Sequence, residues 1–180
     1  MAGGLGTRLS PTTQAVNKHL FPIYDKPMIF YPLTTLILSG VTDICIVSTF
    51  AGTKQLQLLL QDGSQWGLRI QYVIQDQPYG IAHGIKIALG TFPNPEAALV
   101  ILGDNVFHGQ GLGRYISKIL NSDDCVIWTQ EVNNPENFGI ASLDENGKIQ
   151  TIIEKPRKGF GNLAITGLYY FSQSISEIVE

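Results

Sequence analysis

Charge is scarce in this sequence. Asp, Glu, Lys and Arg make up 15% of its 180 residues and leave a formal net charge of -3. A chain so poor in charge, with 44% hydrophobic residues, has the material for a core, and its composition excludes disorder. The missing basic excess excludes the face by which proteins grip a nucleic-acid polymer. Small anionic substrates remain open, because a few local cations suffice for them. Long hydrophobic runs are absent as well. Runs such as Leu99 to Leu102 fall far short of the roughly 20 residues a spanning helix needs, so no membrane partner is expected. The first residues carry glycine where a signal peptide would carry an apolar stretch. Only two cysteines occur, Cys45 and Cys125, each in an apolar run and without CxxC spacing. They are expected to be buried thiols of a protein in a reducing, cytoplasmic compartment. His19, His83 and His108 lack the spacing of a two-histidine metal site.

What is present is an alternation of periods. Strands are expected at 42–49, 69–75, 97–104 and 125–132, where β-branched and apolar residues run together. Helices are expected at 26–40, 52–63, 80–90 and 112–120, several of them bounded by glycine. Pro27 fits a first helical turn, whereas Pro32 calls for a kink or a later start. This order implies an α/β fold with a Rossmann-like, doubly wound, mainly parallel sheet. After Val132 the rhythm changes to strand, turn, strand over 138–156, with Glu145-Asn146-Gly147 as the turn. A further strand is expected at 163–171, and a helix from 172 with Ser172 or Ser174 as its cap.

The glycine cluster Gly3-Gly4-Leu5-Gly6 carries the first chemical signal. A Walker loop would need a lysine after Gly6, and none is there. A dinucleotide fingerprint would need a third glycine, but Thr7, Arg8 and Leu9 follow instead. A surface turn and a nucleotidyltransferase loop remain. In the second, backbone N–H groups wrap a triphosphate and Arg8 adds a forked cation.

The segments AGGLGTRLSP, NKHLFPIYDKPMI, LGDN, FGIASLD, EKP and AITGLYYF occur in one order along nearly the whole chain. Together they resemble the sugar nucleotidyltransferases, and most closely the glucose-1-phosphate thymidylyltransferases. The resemblance implies transfer of a nucleotidyl group from dTTP to glucose 1-phosphate, giving dTDP-glucose and pyrophosphate for deoxysugar and polysaccharide synthesis. It implies one domain over 1–180, with a nucleotide-binding half at 1–132 and the start of a small, antiparallel sugar-binding half at 133–180. A phosphate oxygen that is already an anion needs no general base, so positioning and cations carry the reaction. By resemblance, Arg8 grips pyrophosphate, Lys18 contacts the phosphates and Lys155 holds the sugar phosphate. Asp104, at the end of the apolar run LVILGD, is the implied Mg2+ ligand. Ala2, Gly3, Gly4, Leu5, Gly6, Gln75 and Gly80 are the implied nucleotide contacts, Gln75 reading the base edge. Gly139, Glu154, Thr166 and Gly167 are the implied sugar contacts. Strand alternation would turn Glu154 and Lys155 to opposite faces unless the strand bends or ends there.

A uridylyl- or cytidylyltransferase on the same scaffold stays open, as does a catalytically silent sugar-nucleotide-binding domain. His83 stands where thymidylyltransferases often carry glutamine, and Phe138 where many carry tyrosine. In the family a strand precedes the glycine loop, and a second metal aspartate and oligomer-forming helices follow the region matched here. The complete protein is therefore expected to be a longer homo-oligomer, and these 180 residues alone to turn over weakly.

Overall fold

Turn chemistry and caps set most of the element boundaries. The computed structural model describes residues 1–4, 6–77, 79–92, 97–157 and 159–172, with Arg8 described by its backbone alone. The helix expected from 172 onward lies almost wholly outside the described residues. The elements run β1 Pro22–Ile23, β2 Lys26–Pro27, α1 Phe30–Leu38, β3 Asp43–Ser48, α2 Phe50–Leu60, β4 Arg69–Ile74 and α3 Gly80–Leu89. They continue with β5 Ala98–Ile101, α4 Leu112–Ile119, β6 Val126–Glu131, β7 Gly139–Leu143, β8 Ile149–Glu154 and β9 Leu163–Phe171. This is the α/β alternation that the periods imply.

Pro32 settles where α1 begins. It lies in the first turn, where an N–H would have no intrahelical partner and the missing donor costs nothing. The helix therefore starts at Phe30, and Pro27 belongs instead to the small β1–β2 ladder. Thr49 caps α2 by accepting from the Gly52 N–H at 3.2 Å. Leu56 and Leu60 of α2 are fully buried, each contributing about 1.5–3 kcal/mol.

Parallel pairing is narrower than the expected sheet. β3 and β4 pair in parallel with Asp43 opposite Arg69, and Ala2 forms a parallel bridge to Ser48. The other sheet is antiparallel throughout. Its long strand β9 pairs with β5 and β7 along one side and with β6 along the other. The order of periods gives the sequence of elements but not the direction in which β9 enters the sheet. The β7–β8 hairpin turns at Asp144, whose carboxylate accepts from the Asn146 and Lys148 N–H groups at 2.9 Å each.

One core joins Leu33 and Leu36 of α1, Ile44 and Ile46 of β3, Ile116 of α4 and Leu168 of β9. The expectation for the cysteines holds only in part. Cys45 is half-buried, but Cys125 is exposed because it precedes β6 in a loop, with its sulfur 3.7 Å from the Ser172 hydroxyl. Neither forms a disulfide. No helix among the described residues is long and apolar enough to cross a membrane.

Candidate functional site

The carboxyl end of β5 is where the polar groups converge. Leu102, Gly103 and Asp104 leave the sheet there, and the Asp104 carboxylate meets the Lys18 ammonium in an ion pair. Burial pushes the Asp104 carboxyl up, but the hydrogen bond and charge of Lys18 outweigh it and hold it below the usual carboxylate range. The Asp104 carboxyl is thus ionised at neutral pH, within a partly desolvated crevice.

Lys18 is aimed by its neighbours. Asn17 caps the short turn Lys18–Leu20, its Oδ1 accepting from the His19 N–H at 2.9 Å. That same oxygen lies 2.6 Å from His19 Nδ1, so the ring donates there and Nδ1 carries the proton. His19 is 1% exposed and lies under Gly103, where an added Cβ would come within 2.8 Å of its Cδ2. Burial, then the charge of Lys18, lowers its pKa to about 4, leaving the imidazole neutral at pH 7. His19 therefore supports Lys18 and the strand end, and does not act as a proton donor.

The glycine loop closes on the same cation. A Cβ on Gly4 would lie 3.1 Å from Lys18 Nζ, and a Cβ on Gly3 would lie 3.3 Å from Gln75 Oε1. Side chains at either position would crowd the approach of the ammonium and the amide. Gly6 takes a left-handed φ of 61°, and its carbonyl accepts from the Thr13 hydroxyl at 2.9 Å. At the root of the loop, the Ser48 hydroxyl donates to Ala2 O at 2.8 Å. Asn17 Nδ2 in turn donates to Ser48 Oγ at 3.4 Å. One hydrogen-bonded chain thus runs from His19 through Asn17 and Ser48 to Ala2. Ala2 itself is buried beneath the loop. Leu5 and the Arg8 side chain lie outside the described residues.

Gln75 is buried just after β4. Its Nε2 donates to Gly80 O at 3.0 Å and lies 3.1 Å from His83 Nδ1. The carbonyl partner fixes the amide orientation, since Oε1 in that place would face another oxygen. The Tyr79 ring stands edge-on to His83, centroids 5.3 Å apart.

The remaining expected residues form two further groups. Thr166 and Gly167 lie on β9 beside Asn105, whose Nδ2 donates to Thr166 O. The Thr166 hydroxyl donates to Trp128 O at 2.9 Å. Gly139 is paired with Glu154 across β7 and β8, and a Cβ on Gly139 would lie 3.1 Å from Glu154 Oε2. β8 ends at Glu154, and Lys155 turns into the left-handed region at φ 46°. That turn cancels the strand alternation and brings Lys155 Nζ within 3.6 Å of Glu154 Oε1.

Three residues escaped sequence reasoning. Asn17, Ser48 and Asn105 hold the loop and the strand end, yet each looks like ordinary turn or strand chemistry when read alone. The usable signal was position: Asn17 and Asn105 directly adjoin Lys18 and Asp104. Among the described residues no cluster of three or more His, Cys, Asp or Glu side chains could hold a metal ion. The donor set instead suits Mg2+, which keeps several waters and takes one or two carboxylates plus substrate phosphates. Asp104 is a carboxylate so placed.

The whole chain, residues 1–180, matches the family described as Nucleotidyl transferase. It is 43% identical to a glucose-1-phosphate thymidylyltransferase of Xanthomonas campestris, covering 98% of this chain and 60% of that protein. It is 39% identical to one of Mycobacterium tuberculosis, covering 99% of this chain and 62% of that protein. The chain thus spans about three fifths of these relatives' length. Among solved structures it resembles a putative glucose-1-phosphate thymidylyltransferase of Bacillus anthracis in complex with a sucrose. The TM-score is 0.89 at 33% identity, covering 99% of this chain and 72% of that one. It also resembles a UDP-glucose pyrophosphorylase complexed with UDP-glucose, with a TM-score of 0.82 at 25% identity, covering 99% of this chain and 76% of that one. A glycine loop closed on Lys18, a strand-end carboxylate and a family match over residues 1–180 lead to one conclusion: the chain belongs to the nucleotidyl transferase family.

Proposed function

We propose that this chain carries the nucleotidyl-transfer site of a glucose-1-phosphate thymidylyltransferase. A phosphate oxygen of glucose 1-phosphate attacks the α-phosphorus of dTTP, the bond to the β-phosphate breaks, and pyrophosphate leaves. The observation that carries this reading is the Lys18–Asp104 ion pair at the mouth of the glycine loop. It sets a cation and a carboxylate side by side where phosphate would enter.

Bound Mg2+ would be held by Asp104 and would supply neutralisation of phosphate charge. Lys18, exchanged from Asp104 to phosphate, stabilises charge that grows on the transferring group. The Gly3–Gly4 backbone leaves room for the triphosphate beside it. Glu154 accepts from sugar hydroxyls, and Lys155 meets the sugar phosphate from the same side.

Gln75 bears on the base. With Nε2 committed to Gly80 O, its Oε1 beside Gly3 is the group left to accept. Thymine and uracil present an N3–H to such an acceptor, and cytosine presents a bare N3. A uridylyltransferase is therefore the second reading, favoured over a cytidylyltransferase. The two free thiols suit a reducing, cytoplasmic setting.

The test is pyrophosphate release from glucose 1-phosphate with dTTP, UTP, CTP and ATP in turn, by this chain and by a full-length relative. Release with dTTP and UTP well above CTP supports the reading. Equal release with CTP removes Gln75 from base selection, and no release by either protein with any triphosphate removes the activity.

A further inference from the structure

Gln75 is gripped from the first turn of α3. It follows β4 directly, and its backbone N–H donates to Ser48 O at 2.8 Å, so the parallel ladder fixes where its side chain starts. That side chain is buried, the residue being 7% exposed. Gly80 and His83 stand three residues apart in α3, which sets them on one face of the helix. Gly80 enters the helix at a left-handed φ of 91°, an angle that suits glycine. Both residues meet the same amide nitrogen: Nε2 of Gln75 lies 3.0 Å from Gly80 O and 3.1 Å from His83 Nδ1.

The two contacts constrain the amide differently. A carbonyl oxygen can only accept, so Gly80 decides which end of the amide faces it. An NH2 group carries two protons, and a buried one left unmatched costs free energy. His83 takes the second proton when its Nδ1 accepts, which puts the ring's own proton on Nε2. The other end of the amide, Oε1, then stands between Gly3 and Gly84, where added Cβ atoms would lie 3.3 and 3.6 Å from it. Neither glycine has a side chain to cover that oxygen. Without the His83 acceptor, Gly80 O alone would hold this orientation. The Tyr79 ring packs edge-on against His83, so the imidazole is both an acceptor and a packed ring.

We propose that His83 is a positioning residue for base selection: its Nδ1 holds the Gln75 amide with Oε1 presented to the base edge. The proposal rests on the reading that Gln75 meets the base of the incoming triphosphate. Thymine and uracil bring an N3–H to Oε1, whereas cytosine brings a bare N3 that repels it. A flipped amide would present Nε2 instead and would favour cytosine. His83 thus acts through Gln75, on one edge of the base. The N3–H is common to thymine and uracil, so this contact does not separate those two.

The test separates the acceptor from the ring. His83→Asn loses the ring but keeps an acceptor, because its Oδ1 lies as many bonds from the backbone as Nδ1 does. His83→Phe and His83→Leu lose the acceptor, and Phe keeps a ring against Tyr79. dTTP, dUTP and dCTP, which share one sugar and one triphosphate, are titrated calorimetrically into the 180-residue chain and its variants with Mg2+ present. The unaltered chain should prefer dTTP and dUTP over dCTP by at least about tenfold. The Phe and Leu variants should lose about fivefold of that preference, and His83→Asn should keep most of it. The ratio of dTTP to dUTP affinity should stay constant throughout. Full preference in both the Phe and Leu variants overturns the proposal. So does an equal loss in His83→Asn, or a dTTP-to-dUTP ratio that falls in step, since either would mark loosened packing and not a lost acceptor. An unaltered chain that binds all three equally, or none of them, removes the underlying reading of Gln75 together with the proposal.

Discussion

The crevice at Asp104 and the hairpin edge at Glu154 both set a lysine beside a carboxylate, under opposite conditions. Lys18 and Asp104 come from positions 86 residues apart, and their side chains are 17% and 36% exposed. Glu154 and Lys155 are sequence neighbours, 73% and 58% exposed. In the first pair water is thinned and each charge is strongly felt. In the second, solvent screens the charges and side-chain freedom is largely kept. The crevice at Asp104, the phosphate end of the proposed site, is thus arranged in advance by the fold, and the edge at Glu154, its proposed sugar end, is left free to reorganise. For the proposed reaction between anions this division is sensible, because preorganised charge counts most where charge changes most.

The largest expected difference between the two regions is catalytic. Asp104→Asn should lower turnover about 10²- to 10³-fold or more while sparing binding of a sugar nucleotide. Glu154→Gln should raise KM for glucose 1-phosphate about tenfold and leave kcat nearly unchanged. Pyrophosphate release and calorimetric titration measure both, in this chain if its turnover suffices and otherwise in a full-length relative. Similar losses of kcat in the two variants would erase the division. Near-normal turnover by Asp104→Asn would take that residue out of the metal role.

Acid should attack the crevice. His19 titrates at about 4 in the folded chain against 6.5 as a free side chain, so the unfolded chain takes up the proton first. Its contribution is complete above about pH 6.5 and is lost as pH falls toward 4, a loss of about 3 kcal/mol. The Met1 ammonium acts with the same sign between its ordinary 8.0 and about 6. The depressed Asp104 carboxyl adds a further loss as pH falls below the ordinary carboxylate range. Urea midpoints at pH 7, 5.5 and 4 should therefore fall steadily, and His19→Gln should flatten the slope between 6.5 and 4. A wild-type midpoint that stays level over this range would contradict a neutral, buried His19.

Much of this was readable from residue order. Apolar periods gave the α/β alternation, and the strand-end acid, the lysine in NKHL and the glutamine after β4 lie in one crevice with the glycine loop. The rest depends on contacts across the chain. Ser48 meets Ala2 across 46 residues and Asn17 meets Ser48 across 31, separations that only the topology closes. The antiparallel entry of β9 and the exposure of Cys125 likewise follow from where a segment lands, not from its composition. Pro32 shows the opposite case: a local rule sufficed, and the first turn absorbed the proline. Glu154 and Lys155 share a side because one backbone angle departs from strand geometry, and alternation alone could not show it.

That angle supports the smallest prediction. Lys155 holds a left-handed φ of 46° while its N–H donates to Phe138 O at 2.9 Å. Lys155→Ala keeps the strained backbone and loses the exposed ion pair, so stability should move by no more than about 0.5 kcal/mol. Lys155→Gly loses the same pair but relieves about 1–2 kcal/mol of left-handed strain. The added freedom of glycine in the unfolded chain offsets about 0.5–1 kcal/mol of that gain. The glycine variant should therefore be at least as stable as the alanine variant in urea denaturation. Both should bind glucose 1-phosphate more weakly, because neither keeps the ammonium. A glycine variant clearly less stable than alanine would mean that the Lys155 backbone is held by something other than its hydrogen bond to Phe138. An unchanged KM in both would leave Glu154 as the polar contact at that edge and sharpen its contrast with the doubly charged crevice at Asp104.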